Sequence, residues 1–510
     1  MAVARTWAVA LNGLGGSIIE IEASSANSIP GLSIVGLPDK SLNEAAQRIK
    51  SAALNSRCPL PGGHLTINLS PASLPKQGSA FDLGIAIACL AIGGLARRAS
   101  IERVVHLGEL GLDGRLRPLA GVLPAVLAAA RAGYECVMVP TANADEASLV
   151  PGIGVVGVAS LRDAAIWHGA DLDPIDLEPV RHRFDAIDEN DADDLRDIVG
   201  QPDAVEALTV AAAGGHHLMM VGPPGAGKTM LASRLPGILP ELEPEAAIEV
   251  SCIRSLIGVP PTDGLVTRPP WESPHHTASA AAMLGGGSRQ IRPGAAARAA
   301  HGVLFLDEAP EFRSDVLDAL RQPLESGVIT VQRVHGSATY PGRFQLVLAA
   351  NPCPCGQYGT ADGQCTCPPF ARRRYLARIS GPLLDRIDIQ LRVHRITTTL
   401  AMPLGDTLPI DTAAARRRVV EARAVSADRL DGSGWRTNSE VSGAWLRGRR
   451  MALARSITGP LDRSLERGGI TMRGYDRILR LGWTLADLDG ADAPTADHLG
   501  RALFLRKGIS

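Results

Sequence analysis

Aromatic side chains are scarce, with 7 Phe, 5 Tyr and 6 Trp in 510 residues. That is too few for a protein that grips single-stranded nucleic acid mainly by stacking on bases. Net charge is scarce as well. The 52 Lys and Arg almost balance 53 Asp and Glu, leaving −1, so there is no global basic field and any nucleic-acid binding has to be local. Long apolar runs are missing: the longest, residues 83–96, is rich in Gly and Ala and too short to span a bilayer. The amino-terminal MAVARTWAVALNG lacks the apolar core and small-residue cleavage site of a secretory signal. The expected location is the cytoplasm, with no membrane partner. In that compartment eight cysteines are not a disulfide framework. Lysine is the last shortage, for only Lys40, Lys50, Lys76, Lys228 and Lys507 interrupt an arginine-dominated chain. What remains, 45% hydrophobic and 21% charged, excludes collagen-like, mucin-like and disordered classes and is enough for about three domains of ~150 residues each.

Residues 1–170 alternate short apolar runs (17–21, 33–35, 65–69, 136–139, 154–158) with helical patterns at 41–54, 80–95 and 123–131, which predicts an α/β or α+β domain. Ten acidic residues and two prolines crowd residues 171–194, which read as an exposed linker. In residues 195–395 strand and helix patterns alternate again, as in a parallel-sheet domain. Residues 396–510 are helical, with amphipathic stretches at 412–429, 440–455, 472–488 and 495–504 separated by Gly, Pro and Ser breaks. No internal repeat is visible.

Residues 217–221 read as a buried strand and run directly into Gly222, Pro223, Pro224, Gly225, Ala226, Gly227, Lys228 and Thr229, followed by the helical pattern MLASRL. This is GxxxxGK[ST] in the strand–loop–helix setting that the motif needs. Glycines let consecutive backbone N–H groups wrap a phosphate chain, and the helix start adds partial positive charge. Lys228 then reaches the β and γ phosphates of ATP and Thr229 ligates Mg2+. A lysine in a chain that otherwise uses arginine fits a site needing a compact ammonium rather than a planar fork. Downstream, residues 303–308 form an apolar strand ending in two carboxylates. Asp307 is placed for the Mg2+ shell and Glu308 for polarising the attacking water. By itself such a run is an ordinary strand end; following a phosphate loop it gains its meaning.

A third apolar run, 344–350, ends in Asn351, a polar residue suited to sensing the γ phosphate. Arg386, within the string Ser-Gly-Pro-Leu-Leu-Asp-Arg-Ile-Asp at 380–388, is the candidate to reach across a subunit interface and neutralise transition-state charge. Arg473 opens a C-terminal helix as a candidate lid sensor. Taken singly, either arginine reads first as an ordinary surface or salt-bridge residue; the ordered set carries the weight.

With these motifs in order, the sequence resembles the AAA+ ATPases of the helix-2-insert group, which includes magnesium chelatase ATPase subunits and the MCM helicases. More closely, it is similar to the magnesium-chelatase-like YifB/ComM family. The strings that carry the likeness run nearly end to end: IVGLPD at 34–39, NLSPA at 68–72, GEL at 108–110, LDGRLR at 112–117, GQ at 200–201, AAAGGH at 211–216, PHH at 274–276, GGG at 285–287 and SGPLLDRID at 380–388. The resemblance implies an α/β protein with a P-loop AAA+ parallel-sheet core and a helical C-terminal lid, preceded by a Lon/RadA-like α/β domain of the ChlI type. It implies Asn351 as first sensor, Arg386 as arginine finger and Arg473 as second sensor. It also implies a homo-oligomeric ring, most simply a hexamer, with two pore elements at 277–298 and 328–343.

Read from its residues, 328–340 alternates apolar and polar side chains across a His-Gly turn, as a hairpin does. Its polar side offers Arg333 and His335, suited to phosphate contacts or to a solvated face. Glycines 285–287 with Arg289 and Arg292 form either a mobile basic loop or an ordinary flexible one. Lon-type proteolysis needs a serine nucleophile and an activating lysine. Aligned on residues 75–78, that pattern puts Ala80 at the nucleophile position, with Ser79 one place off, and residues 119–121 put Ala125 where the lysine should be. The first domain is therefore expected to be a non-proteolytic scaffold.

Cys353, Cys355, Cys365 and Cys367 follow Asn351 with the spacing C-x-C-x9-C-x-C. Four soft ligands in a Gly/Pro loop suit a tetrahedral Zn2+, with free thiols or redox chemistry as the alternatives. Such a knuckle would present Arg372, Arg373, Arg374, Tyr375 and Arg378 to DNA, or the same run is a helix face making intersubunit salt bridges. The leading functional expectation is an ATP-driven ring motor on single-stranded or branched DNA, a ComM-like branch-migration helicase in recombination or transformation. The others are the ATPase partner of a metal chelatase and a chaperone-like ATPase that remodels a protein client.

Overall fold

The computed structural model describes residues 3–36, 40–74, 76, 78–180, 194–287, 291–333, 336–359, 365–395, 410–448 and 451–508. Two sheets organise them. The first has seven strands in the order Gly31–Val35, His64–Ser70, Gly15–Ala26, Val3–Asn12, Val105–His106, Cys136–Pro140 and Gly154–Val158. Val3–Asn12 and Gly15–Ala26 pair antiparallel across a turn in which Gly13 takes φ 63°, and the last three strands join on in parallel. Alternation along Cys136–Pro140 shows why both sheet faces are covered: Met138 packs into one apolar cluster while Val137 and Val139 pack into the other. The longest apolar run of the sequence folds as the helix Asp82–Ile92, buried from Asp82 to Ala91. No described helix is long and apolar enough to cross a membrane.

The second sheet is wholly parallel, in the order Trp271–Glu272, Val303–Leu306, Gln345–Ala350, Leu218–Val221, Ile389–Arg392. Counted along the chain this is 2-3-4-1-5. The strand that enters the phosphate loop thus has the Asn351 strand on one side and Ile389–Arg392 on the other, and the strand ending at Asp307 lies one further out. Phe305, Val347 and Leu218 face a cluster shared with the C-terminal helices, whereas Leu304, Leu348 and Met219 face the opposite one. The sheet is therefore buried on both sides, as parallel sheets are.

The C-terminal helices are Thr412–Leu430, Arg455–Glu466, Met472–Leu488 and Ala496–Lys507. The helix expected at 440–455 does not form. In its place, among the described residues, are a 3-10 turn at Asn438–Glu440 and a single turn at Gly443–Leu446, and the next helix, Arg455–Glu466, contains Pro460. Two side-chain caps divide the stretch: Thr437 closes a capping box with Glu440, and Ser442 Oγ accepts from Trp445 N–H at 3.2 Å to start a new turn. The apolar residues Val441, Leu446 and Met451 that suggested a helix are nonetheless buried.

A buried polar chain fastens these helices to the second sheet. Asp388, just before Ile389–Arg392, accepts from Arg477 and lies 3.1 Å from His216 Nδ1. His216 Nε2 is 2.8 Å from Thr484 Oγ1; Asn438 donates to Thr484 (3.1 Å) and to Asp487 (2.8 Å), and Arg429 closes on Asp487 at 2.6 Å. Burial works to raise the Asp388 carboxyl, but Arg477 and then His216 outweigh it and hold it far below the usual carboxylate range.

The first domain rests directly on the second. Gly121 N–H donates to Ser255 O (2.9 Å) and Leu123 N–H to Ser255 Oγ (3.3 Å), while Cys252 shares an apolar cluster with Val122 and Val126. The Gly13 turn abuts a second hairpin, Val328–Arg333 with Gly336–Pro341, so closely that a Cβ on Gly13 would lie 2.8 Å from Thr339 O.

Inside the first domain, Thr6 Oγ1 lies 2.7 Å from His106 Nδ1, His106 Nε2 2.9 Å from His168 Nε2, and His168 Nδ1 2.9 Å from Ser100 Oγ. One proton between the two Nε2 atoms satisfies both rings while both are neutral. Burial holds His106 well below the usual histidine range and His168 down to about 4. Folded values below the unfolded one mean that stability is complete above about pH 6.5 and is lost as pH falls; for His168 alone the loss is about 3 kcal/mol by pH ~4. His168→Gln is therefore expected to flatten the fall of the melting temperature between about pH 7 and about pH 5, read by calorimetry on the whole chain. An unchanged slope would remove His168 from the acid response.

Candidate active site

Leu218–Val221 is buried at all four positions and delivers the chain to the carboxyl edge of the parallel sheet, between its two neighbours. This is the usual ligand position of such sheets. Gly222 donates to Ala350 O at 3.2 Å, and a Cβ there would lie 2.3 Å from Val393 O. Gly225 and Gly227 take φ 75° and 86°, which side-chain-bearing residues avoid, and the helix Lys228–Ser233 begins at once. The strand–loop–helix reading of residues 217–233 thus matches the geometry.

Lys228 is 8% exposed. Its Nζ donates to Gly222 O (2.7 Å), Pro223 O (3.0 Å) and Asn351 Oδ1 (3.2 Å). Burial lowers its pKa, opposed by Asp307 and Glu308. Thr229 Oγ1 donates to Asp307 Oδ2 at 2.8 Å, while Asp307 Oδ1 accepts from Glu308 N–H at 2.8 Å. A hydroxyl and a carboxylate oxygen meeting this way are hard oxygen donors of the kind Mg2+ takes alongside phosphate oxygens. Glu308 sits at φ 50°, ψ 44°, in the left-handed region where a glutamate is strained, and His276 Nδ1 lies 3.6 Å from its Oε2. Together Pro224 to Thr229, Asp307, Glu308 and Asn351 line a chamber of about 390 Å3. Gly222 and Pro223, outside this lining, accept from Lys228 beside it.

Two supports carried no sequence signal beyond membership in a quoted string. Gln201 Nε2 donates to Ala226 O (2.8 Å) and His394 O (3.2 Å), bracing the loop from below, and its buried Oε1 has no partner among the described residues. His276 came only as part of PHH. A histidine or glutamine distant in sequence announces such a role only after the fold brings it near.

Arg386 and Arg473 are elsewhere. Arg386, after the helix Gly381–Leu384, pairs with Glu325 and donates to Pro382 O. Burial lowers its pKa, helped by Arg321, Arg473 and Arg477. Arg473, in the first turn of Met472–Leu488 that Thr471 caps, is 75% exposed at its side chain and 3.6 Å from Asp385. The structure brings these two arginines together, and neither lines the chamber that holds Lys228. Arg386 borders instead a cleft of about 970 Å3 between sheet and C-terminal helices, along which Arg343, Arg423, Arg436, Arg477 and Arg480 are also set.

Of the residues expected at nucleic acid, Arg333 is exposed at the end of Val328–Arg333, and His335 lies outside the described residues. The hairpin is real and has a neighbour. Gly285–Gly286 pairs with Arg292–Pro293, a Cβ on Gly286 would lie 2.9 Å from the Arg333 guanidinium, and Tyr340 Oη donates to Ile291 O at 2.8 Å. Arg289 is also outside the described residues. Helix Pro369–Leu376 carries Arg372 with its guanidinium 3.9 Å from the Tyr358 ring centre, Arg373 and Arg374 exposed, and Tyr375 buried. Arg378 pairs with Glu311 of the same chain at 3.0 Å. The four cysteines of residues 353–367 converge, their sulfurs all within 4.8 Å of one another.

A P-loop at the edge of a 2-3-4-1-5 parallel sheet, two acidic residues on the third strand and a polar tip on the fourth define an AAA+ ATPase core. Sequence models of the magnesium chelatase subunit ChlI match residues 194–400, 20–143 and, for its C-terminal part, 410–506. The chain is 47% identical to an uncharacterized protein of Mycobacterium tuberculosis over 99% of both chains. It is 38% identical to competence protein ComM of Haemophilus influenzae over 99% of this chain and 98% of that one. To the YifB protein of Escherichia coli it is 38% identical over 97% and 95%. More distantly, a Lon protease of Mycolicibacterium smegmatis is 29% identical over 32% of this chain and 22% of its own. The chain belongs to the magnesium-chelatase-like YifB/ComM family of AAA+ ATPases.

The bracing of the loop makes a test. Gly222→Ala has to push Val393 O away or move the loop, so a fluorescent ATP analogue is expected to lose binding, by at least about tenfold, with the circular dichroism spectrum unchanged. Undiminished binding would show that the contact with Val393 is yielding.

Proposed function

We propose that this protein is a ring of identical subunits, a hexamer, that hydrolyses ATP with Mg2+ in the cytoplasm and moves single-stranded or branched DNA, as a branch-migration motor does. The observation that carries the ring is the separation of charges: Lys228 stands in the phosphate chamber, while Arg386 stands at the arginine-lined cleft with Arg473 near it. The described lining of the chamber holds no arginine, and the arginine edge of a second copy completes it when two copies meet. Lys228 then holds the β and γ phosphates, and Thr229 and Asp307 hold Mg2+. Glu308 draws the proton from the attacking water, Asn351 orients the γ phosphate, and the neighbour's Arg386 and Arg473 stabilise the charge developing in the transition state.

DNA as the client rests on local features. Arg333 sits where two inserts pack together, Arg373 and Arg374 are exposed on Pro369–Leu376, and a full-length relative is named a competence protein. Arg333, His335, Arg372, Arg373 and Arg374 are the residues assigned to the phosphate backbone. In this reading the first domain, with Ala80 and Ala125 at the Lon catalytic positions, is a scaffold. The second reading is an ATPase that remodels a protein partner, favoured by the three matches to a magnesium chelatase subunit.

Lys228→Ala is expected to bind no nucleotide, whereas Glu308→Gln binds ATP and loses turnover by about 10² to 10⁴ fold; wild-type turnover in either variant would remove the assignment. Lys228→Ala and Arg386→Ala subunits, each inactive alone, are expected to regain part of the activity when mixed, since some interfaces then pair an intact chamber with an intact arginine. No recovery in rings shown to be mixed would place Arg386 outside the neighbour's site. Turnover is expected to rise with single-stranded DNA or a four-way junction and to rise less at higher salt. If every DNA leaves the rate unchanged, the protein-remodelling reading takes its place.

A further inference from the structure

Between Asn351 and the helix Pro369–Leu376 the chain gathers four thiols. Cys353 Sγ lies 3.3 Å from Cys355 Sγ and 3.7 Å from Cys365 Sγ, Cys355 Sγ lies 3.7 Å from Cys365 Sγ, and Cys367 completes a group whose sulfurs are all within 4.8 Å of one another. None is in a disulfide; a bonded pair would bring two sulfurs to about 2.05 Å, and the short C-x-C spacing does not do so here. Four thiolates around a tetrahedral zinc, each at about 2.3 Å, sit ~3.8 Å from one another, within the observed range. A set of sulfurs alone does not suit Mg2+ or Ca2+, which take oxygen. The other four cysteines, Cys58, Cys89, Cys136 and Cys252, lie in the apolar clusters of the first domain or against it.

The cluster's position gives it a mechanical relation to the phosphate loop. Cys353 is fully buried two residues after Asn351. Its carbonyl accepts from Gly356 N–H at 2.9 Å, closing a turn in which Gly356 takes φ 75°. A Cβ on Gly356 would lie 2.7 Å from Cγ and Cδ of Pro224 and 4.0 Å from Cγ of Asn351. The turn just beyond the first two thiols therefore rests on the phosphate loop and against the residue to which Lys228 donates.

We propose that Cys353, Cys355, Cys365 and Cys367 hold one structural Zn2+ as a closed tetrathiolate, and that the knuckle is a strut fixing Asn351 and Pro224 relative to each other. Binding costs protons only: the thiols release them as the four Zn–S bonds form, and nothing is oxidised or reduced. With no open coordination position the metal has no part in hydrolysis itself. The strut rests on the phosphate-site reading above; the zinc site does not.

The test uses the full chain purified without chelator. Elemental analysis is expected to give about one zinc per chain, released by an organomercurial and recorded with a zinc-sensitive dye. The double variant Cys355→Ser/Cys365→Ser is expected to lose that zinc, and to bind a fluorescent ATP analogue at least about tenfold more weakly. Zinc absent from the wild type even after incubation with ZnCl2, a coloured iron–sulfur chromophore, or zinc retained by the double variant would overturn the site. Gly356→Ala keeps all four thiols and guards against a misfolded cysteine variant: it is expected to keep its zinc yet bind the analogue more weakly. Undiminished nucleotide affinity in a folded, zinc-free double variant and in Gly356→Ala would overturn the strut while leaving the zinc site standing.

Discussion

A loop that meets phosphate with its own backbone cannot also hold itself up with side chains. Residues 222–227 are Gly, Pro, Pro, Gly, Ala and Gly, chosen for what they leave out, so whatever rigidity the loop has is imposed from outside. Gln201 takes it from below through Ala226 O, Val393 presses its carbonyl under Gly222, and Gly356 seats its backbone on Pro224. Each brace comes from a different part of the chain: the segment before the first core helix, the end of the fifth strand, and the cysteine turn after the fourth. Preorganised N–H donors are valuable only if they do not relax when charge arrives, and this loop's preorganisation is borrowed from three neighbours.

The same economy governs the far side of the core. Asp388 is a buried carboxylate, tolerable because Arg477 and His216 meet it and because the polar chain continues through Thr484, Asn438, Asp487 and Arg429. Breaking one partner of such a buried pair costs about 3–5 kcal/mol. Arg386 stands two residues before Asp388, and Arg473 four before Arg477 on the same helix. The buried polar chain therefore ties the C-terminal helices to the segment that carries Arg386, and Arg473 lies one helical turn from Arg477.

Legibility from the sequence followed how local each requirement is. The phosphate loop was readable because backbone chemistry demands a fixed order of small residues, and Asp307, Glu308 and Asn351 because each ends an apolar strand. The two-sheet α/β architecture was readable from alternation. The first strand, Val3–Asn12, is hard to read from sequence, because its run of Ala, Val and Trp at the amino terminus has the composition of a short signal-like segment as much as of a strand. The 440–455 stretch reads as a helix because Val441, Leu446 and Met451 are apolar, whereas the caps at Thr437 and Ser442 cut it into short turns. Gln201, the His106–His168 pair and the position of Arg473 beside Arg386 depend on residues brought together from far apart in the chain, where no spacing rule reaches.

The seam at Ser255 has a consequence for how the chain can be divided. Cys252 and Leu256, with Ile248 beside them, close against Val122, Val126 and the Gly13–Leu14 corner. A protein begun after the acidic stretch would carry that oily strip bare and leave two of the Ser255 acceptors without their donors. The amino-terminal domain is thus less a bead on a string than a fitted lid on the wall beneath the inserts, and the ATPase is a whole only when both halves are made together.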